Sequence, residues 1–108
     1  MRAEWGAIRE RLASFAGELR RPLVFTEIGY PSVQGGATFP WHYTRKAPLD
    51  VAEQARAYQA FVETWSGTPA LEGVFFWTWT GEGGLADTGY TPRGKPAGAL
   101  VRAWFGGE

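Results

Sequence analysis

Two short runs decide most of what this chain can fold into: "PLVFTEIG" at 22–29 and "GVFFWTWT" at 73–80. Both are rich in β-branched and aromatic residues, continuous rather than alternating, and too short for a surface helix. They predict strands over Leu23–Gly29 and 73–80. A strand with no polar alternation is covered on both faces, which is the condition of parallel sheets. Helical patterns flank both runs. Trp5, Ile8, Leu12, Phe15 and Leu19 recur at spacings of three and four, so a helix is expected over 3–20, stopped by Pro22. Asp50 followed by Glu53 starts a second helix in the manner of a capping box. Its stripe runs through Val51, Ala55, Tyr58, Phe61, Val62 and Trp65 to "SGTP" at 66–69. Pro96 opens a last helix that reaches Phe105.

The order helix-strand-helix-strand-helix implies an α/β fold with two parallel strands. Two strands alone leave two open edges, and open edges recruit further strands. The expectation is therefore a portion of a larger layer, completed by other segments or by copies of itself. At 108 residues the chain is one partial domain, residues 1–108.

Eleven basic and eleven acidic residues cancel, so no nucleic-acid or membrane partner is expected. Cysteine is absent, which removes disulfides and thiolate metal sites. The N-terminal "MRAEWGAIRERL" has no signal-peptide core, and cytoplasm is the default localisation.

Parallel α/β folds gather their chemistry at the carboxyl ends of strands and in the loops that follow. Glu27 stands at that end of the first predicted strand, and Trp77 and Trp79 at that end of the second. The long loops 30–48 and 81–95 emerge on the same side. Glu27 has two readings. A carboxylate near a core is usually ion-paired or hydrogen-bonded for structural reasons. Alternatively it is a reacting group, and the aromatic neighbourhood favours this. Sugar rings lay their C–H faces on Trp or Tyr, and glycoside cleavage passes through a positive, oxocarbenium-like transition state that a carboxylate stabilises or attacks.

"FTEIGYPS", "DVAEQARAYQAF", "GVFFWTWT" and "DTGYTPRGKPAGALVRAWF" together resemble the C-terminal part of clan A retaining glycoside hydrolases. The nearest resemblance is to glycoside hydrolase family 113, the (β/α)8 TIM-barrel endo-β-1,4-mannanases. It implies the C-terminal portion of such a barrel, from helix six to helix eight. It also implies that Glu27 is the nucleophile on strand seven and that Trp77 floors the sugar beside the cleavage point. Tyr30, Trp41 and His42 would line the sugar cleft, with Trp79 as a further sugar-binding residue. The implied partner is an oligo- or polysaccharide such as β-mannan, with no cofactor and no metal.

The resemblance also implies an acid/base glutamate on strand four, for which this sequence has no counterpart. A retaining enzyme needs two carboxyl groups about 5–5.5 Å apart, and no second acid here suits the role. Glu82 is expected to be a solvated loop acid, and Asp87 to order the "DTGY" turn. Asp50 and Glu53 cap a helix, while Glu72 is expected to precede the second strand. His42 is the single histidine, so no histidine triad or multi-histidine metal site can form. Arg93 and Lys95 are expected to make helix-start and solvent contacts. The isolated chain is expected to be inactive, needing the missing barrel segment. The alternative is a non-catalytic carbohydrate-binding fragment, or one that self-associates through its strand edges.

Overall fold

The computed structural model describes residues 1–106, so the last two residues of the predicted partial domain lie outside the described residues. The elements run α1 (Arg2–Leu19), β1 (Leu23–Ile28), α2 (Val51–Trp65), β2 (Leu71–Phe76) and α3 (Pro96–Trp104). The strands pair in parallel, with Leu23 opposite Leu71, Phe25 opposite Val74 and Ile28 opposite Phe76.

β2 begins and ends earlier than its apolar run suggested. The ladder is spent at Phe76, and Trp77 then donates its amide to the Ile28 carbonyl at 2.7 Å before the chain turns away. Glu72 is consequently inside the strand rather than before it. The sheet is also covered on one face only. Val74 is buried under the helices, whereas Phe75 is 67% exposed and Val24 about half exposed on the opposite side. No third layer of the described residues reaches that side.

The core is an aromatic cluster beneath α2. Tyr58, Phe61 and Trp65 follow one another at helical spacing and are completely buried. Phe61 packs edge-on against Trp5 of α1 at 5.3 Å and Phe76 of β2 at 5.8 Å. Phe25 of β1 packs edge-on against Trp65 at 5.0 Å. Each such side chain contributes about 1.5–3 kcal/mol by burial, and an edge-to-face pair adds roughly 0.5–1.5 kcal/mol. On α1 the buried stripe turns from Leu12 to Ala16, as a period of 3.6 carries it, and leaves Phe15 and Leu19 exposed. α1 closes on Arg20, whose left-handed backbone (φ 54°) lets its amide reach the Ala16 and Gly17 carbonyls.

The Asp50 side chain accepts the Glu53 amide at 2.8 Å, one half of the expected capping box. The other half is diverted. Glu53 accepts the amides of Gly35 (3.1 Å) and Ala37 (2.9 Å), and so fastens the long loop after β1 to the start of α2. That loop closes on itself through an isolated bridge between Val33 and Leu49.

Candidate functional site

The carboxyl ends of both strands open into a hollow of about 700 Å³. Its lining includes Glu27, Tyr30, Trp41, Tyr43, Trp77 and Tyr90. In a regular strand Glu27 would share the Phe25 face, which packs under the helices. The ladder is irregular between Phe25 and Ile28, and such irregularities re-aim a side chain. Glu27 is exposed and faces this hollow. Among the described residues its carboxylate takes part in no ion pair or side-chain hydrogen bond.

Trp77 is held close to the end of β1 by the backbone. A Cβ on Gly29 would overlap the Trp77 carbonyl oxygen and sit 2.9 Å from its carbon. Only a residue without a side chain lets the two strand ends approach this closely. Trp77 is half exposed and lines the hollow.

The structure gathers Glu27, Tyr30, Trp41 and Trp77 around one space. Tyr30 is nearly all buried, packed edge-on to Tyr58 at 5.6 Å, and offers the hollow little surface. His42 is exposed, with its amide on the Phe39 carbonyl, and lies outside the hollow's lining. Trp79 lines a different concavity of about 540 Å³ between β2 and α3, with Val74, Phe76 and Val101.

Three aromatics went unremarked in the sequence as site residues. Trp5 comes from the stripe of α1, and Tyr43 from the loop that also holds Trp41. Tyr90 comes from the loop after β2 and donates its phenol to the Pro40 carbonyl at 2.5 Å. Burial, and then the Glu27 charge, push the Tyr90 phenol above the ordinary tyrosine range. The two groups thus share one field. A tyrosine in a loop at the strand ends, as in "DTGYTP", was the available signal.

Asp87 orders its turn as expected, accepting the Gly83 and Gly89 amides at 2.5 Å each. Lys95 does not face solvent. Its side chain is buried, because Ser32 and Gly89 from the two long loops converge on its ammonium group. Arg93 reaches the Gly81 and Glu82 carbonyls. Among the described residues no group of three or more His, Cys, Asp or Glu could hold a metal ion, and no helix is long and apolar enough to cross a membrane.

A family model described as Glycoside Hydrolase Family 113 matches residues 2–94. Among solved structures, the GH113 beta-mannanase AaManA from Alicyclobacillus acidocaldarius, in complex with ManMIm, is 29% identical with a TM-score of 0.85. The match covers 97% of this chain and 36% of that one. A second GH113 beta-1,4-mannanase structure is 24% identical with a TM-score of 0.84, covering 97% and 36%. A complex structure of GH113 beta-1,4-mannanase is 23% identical with a TM-score of 0.85, covering 96% and 35%. No curated protein matches the chain. The three helices and two parallel strands thus correspond to about a third of the length of these barrel enzymes.

Proposed function

Because the chain belongs to glycoside hydrolase family 113, a glycoside hydrolase fragment in which two βα units carry an aromatic hollow, we propose that it is the nucleophile-bearing C-terminal segment of a retaining β-mannan hydrolase, spanning barrel helix six to helix eight. Glu27 is the nucleophile. Its carboxylate oxygen attacks the anomeric carbon, the glycosidic C–O bond breaks, and the departing oxygen takes a proton from a general acid. Water then cleaves the glycosyl ester. Trp77 supplies the floor for the sugar next to the cleavage point, and Trp41, Tyr43 and Tyr90 form the walls.

The observation that carries this reading is a carboxylate without a partner, set among aromatic planes at the end of a parallel strand. An unpaired charge there has no structural use, while a positive transition state gives it one. Mannan as substrate is supported by the mannanase relatives, one of them in complex with ManMIm.

No second carboxylate lines the hollow among the described residues. The proton donor therefore comes from further βα units, either in a longer chain or on a separate polypeptide that pairs with the open edges of β1 and β2. Exposed Phe75 and Val24 support docking on that face. The second reading, in which copies of this chain associate edge to edge, rests on the open edges of the two-stranded sheet.

Titrating mannohexaose against intrinsic tryptophan fluorescence tests the site. Saturable binding should survive Glu27→Gln and vanish in Trp77→Ala; binding indifferent to Trp77 defeats the proposed floor. The isolated chain should not turn over β-mannan, and turnover abolished by Glu27→Ala would refute the missing donor. A clean monomer in sedimentation removes the self-associating reading.

A further inference from the structure

Lys95 stands at the N-terminus of α3, and its side chain is completely buried. Its ammonium group donates to Ser32 Oγ at 3.0 Å and to the Gly89 carbonyl at 3.1 Å, and lies 3.6 Å from Asp87 Oδ1. Ser32 belongs to the loop after β1, and Asp87 and Gly89 to the loop after β2. The serine relays the tie. Its hydroxyl donates to the Asp87 carbonyl at 2.5 Å, its amide to the Gly89 carbonyl at 3.1 Å, and its own carbonyl accepts the Asp50 amide at 2.8 Å. Two residues before Ser32 comes Tyr30; one residue after Gly89 comes Tyr90. Both line the hollow with Glu27.

A lysine is almost never so buried unless its charge is fully used. Burial pushes the Lys95 ammonium below the ordinary lysine range, and Asp87 pulls against that shift. Holding a cation there costs free energy, and a methionine would fill the same space without that cost. What the ammonium adds is three directed donors, of which two reach different loops.

We propose that Lys95 is a positioning residue whose ammonium group couples the loop after β1 to the loop after β2, fixing the spacing of Tyr30 and Tyr90 in the hollow that Glu27 also lines. The use of that spacing in sugar binding rests on the function proposed above; the coupling of the loops does not. Ser32 is the second member of the device. Gln54 of α2 reinforces it from beneath, donating from Nε2 to the Tyr30 carbonyl at 2.9 Å and the Tyr90 carbonyl at 3.2 Å.

Hydrogen exchange read by mass spectrometry on the full chain tests the coupling. Lys95→Met should speed exchange in peptides covering 30–38 and 83–91 together, by roughly tenfold, as loss of charge-assisted hydrogen bonds predicts. Exchange in α2 should stay within about twofold of the parent chain. Ser32→Ala, a milder change, should loosen the same two segments less. Loosening of one loop without the other, a uniform rise that includes α2, or no change overturns the coupling. Should Lys95→Met fail to fold, Ser32→Ala decides by the same criterion. Mannohexaose affinity, measured well below the melting temperature, separates the two claims. Coupled loosening in a chain that never binds the sugar keeps the coupling and sinks the sugar reading. Coupled loosening with unchanged affinity removes the role in site spacing.

Discussion

Gly29→Ala, with Gly73→Ala beside it, tests how the strand ends build the site. The added methyl at Gly29 would overlap the Trp77 carbonyl oxygen and lie 3.1 Å from the Trp77 Cβ. Neither group can rotate away, because the oxygen is backbone and the adjoining amide holds Ile28 at 2.7 Å. The strand ends must part. Overpacking of this kind costs about 1–3 kcal/mol, and breaking the Trp77–Ile28 bond adds roughly 1 kcal/mol. At roughly 4–8 °C per kcal/mol for a chain of this size, a loss near 3 kcal/mol lowers the melting midpoint by about 12–24 °C. Gly73 lies in β2, and a Cβ there meets nothing within 4 Å. Its φ lies outside the left-handed region, so alanine should be neutral or stabilising by about 0.5–1 kcal/mol. Thermal unfolding followed by far-UV circular dichroism reads both variants. Equal effects, or a harmless Gly29→Ala, would refute the claim that Gly29 sets the approach of Trp77 to the end of β1.

Phe61 touches Trp5, Phe25, Phe76 and Trp104 and is wholly buried. Phe61→Ala should cost about 3–5 kcal/mol, and near-UV dichroism at 37 °C should register loss of the packed aromatics. Burial opposes ionisation of Asp87, but the Gly89 and Gly83 amides and the Lys95 charge outweigh it and hold its carboxyl below the ordinary value. A depressed carboxyl stabilises the fold above its unfolded pKa of about 3.9 and loses that contribution as pH falls through the lower folded value. Melting midpoints between pH 6 and pH 3 should therefore fall less in Asp87→Asn than in the parent chain. Arg20 holds a left-handed backbone that costs an L-residue roughly 1–2 kcal/mol. Arg20→Gly should raise the midpoint by a few degrees, the greater unfolded freedom of glycine cancelling part of the gain.

Element order and strand direction were legible because Phe61 and Trp65, or Leu23 and Phe25, declare their period directly in the sequence. The carboxyl-end position of Glu27 and Trp77 followed from that order. The strand boundary did not, since Trp77 and Trp79 have the β-propensity of residues inside a ladder, and only pairing with Ile28 shows where the ladder stops. One-sided coverage was equally hidden. Val24 and Phe75 are written as for a sheet buried on both faces, and the described residues hold only one of the covering layers. Lys95 does stand at the start of α3, but its burial was missed because a lysine's default is water. Its partners Ser32 and Gly89 are loop residues whose convergence no local pattern encodes. Tyr43 and Tyr90 had the same loop-aromatic signature as Trp41 and could have been named with it.

The proposed attack of Glu27 on an anomeric carbon has a direct test. A 2-deoxy-2-fluoro-β-mannosyl fluoride tests it on this chain, because fluoride departs without a proton donor while the 2-fluoro group slows breakdown of the glycosyl ester. Intact-mass and peptide mapping should find one glycosyl adduct, on Glu27, and none in Glu27→Gln. An adduct on Glu82 or Asp87 instead, or no adduct at all, would contradict the assignment.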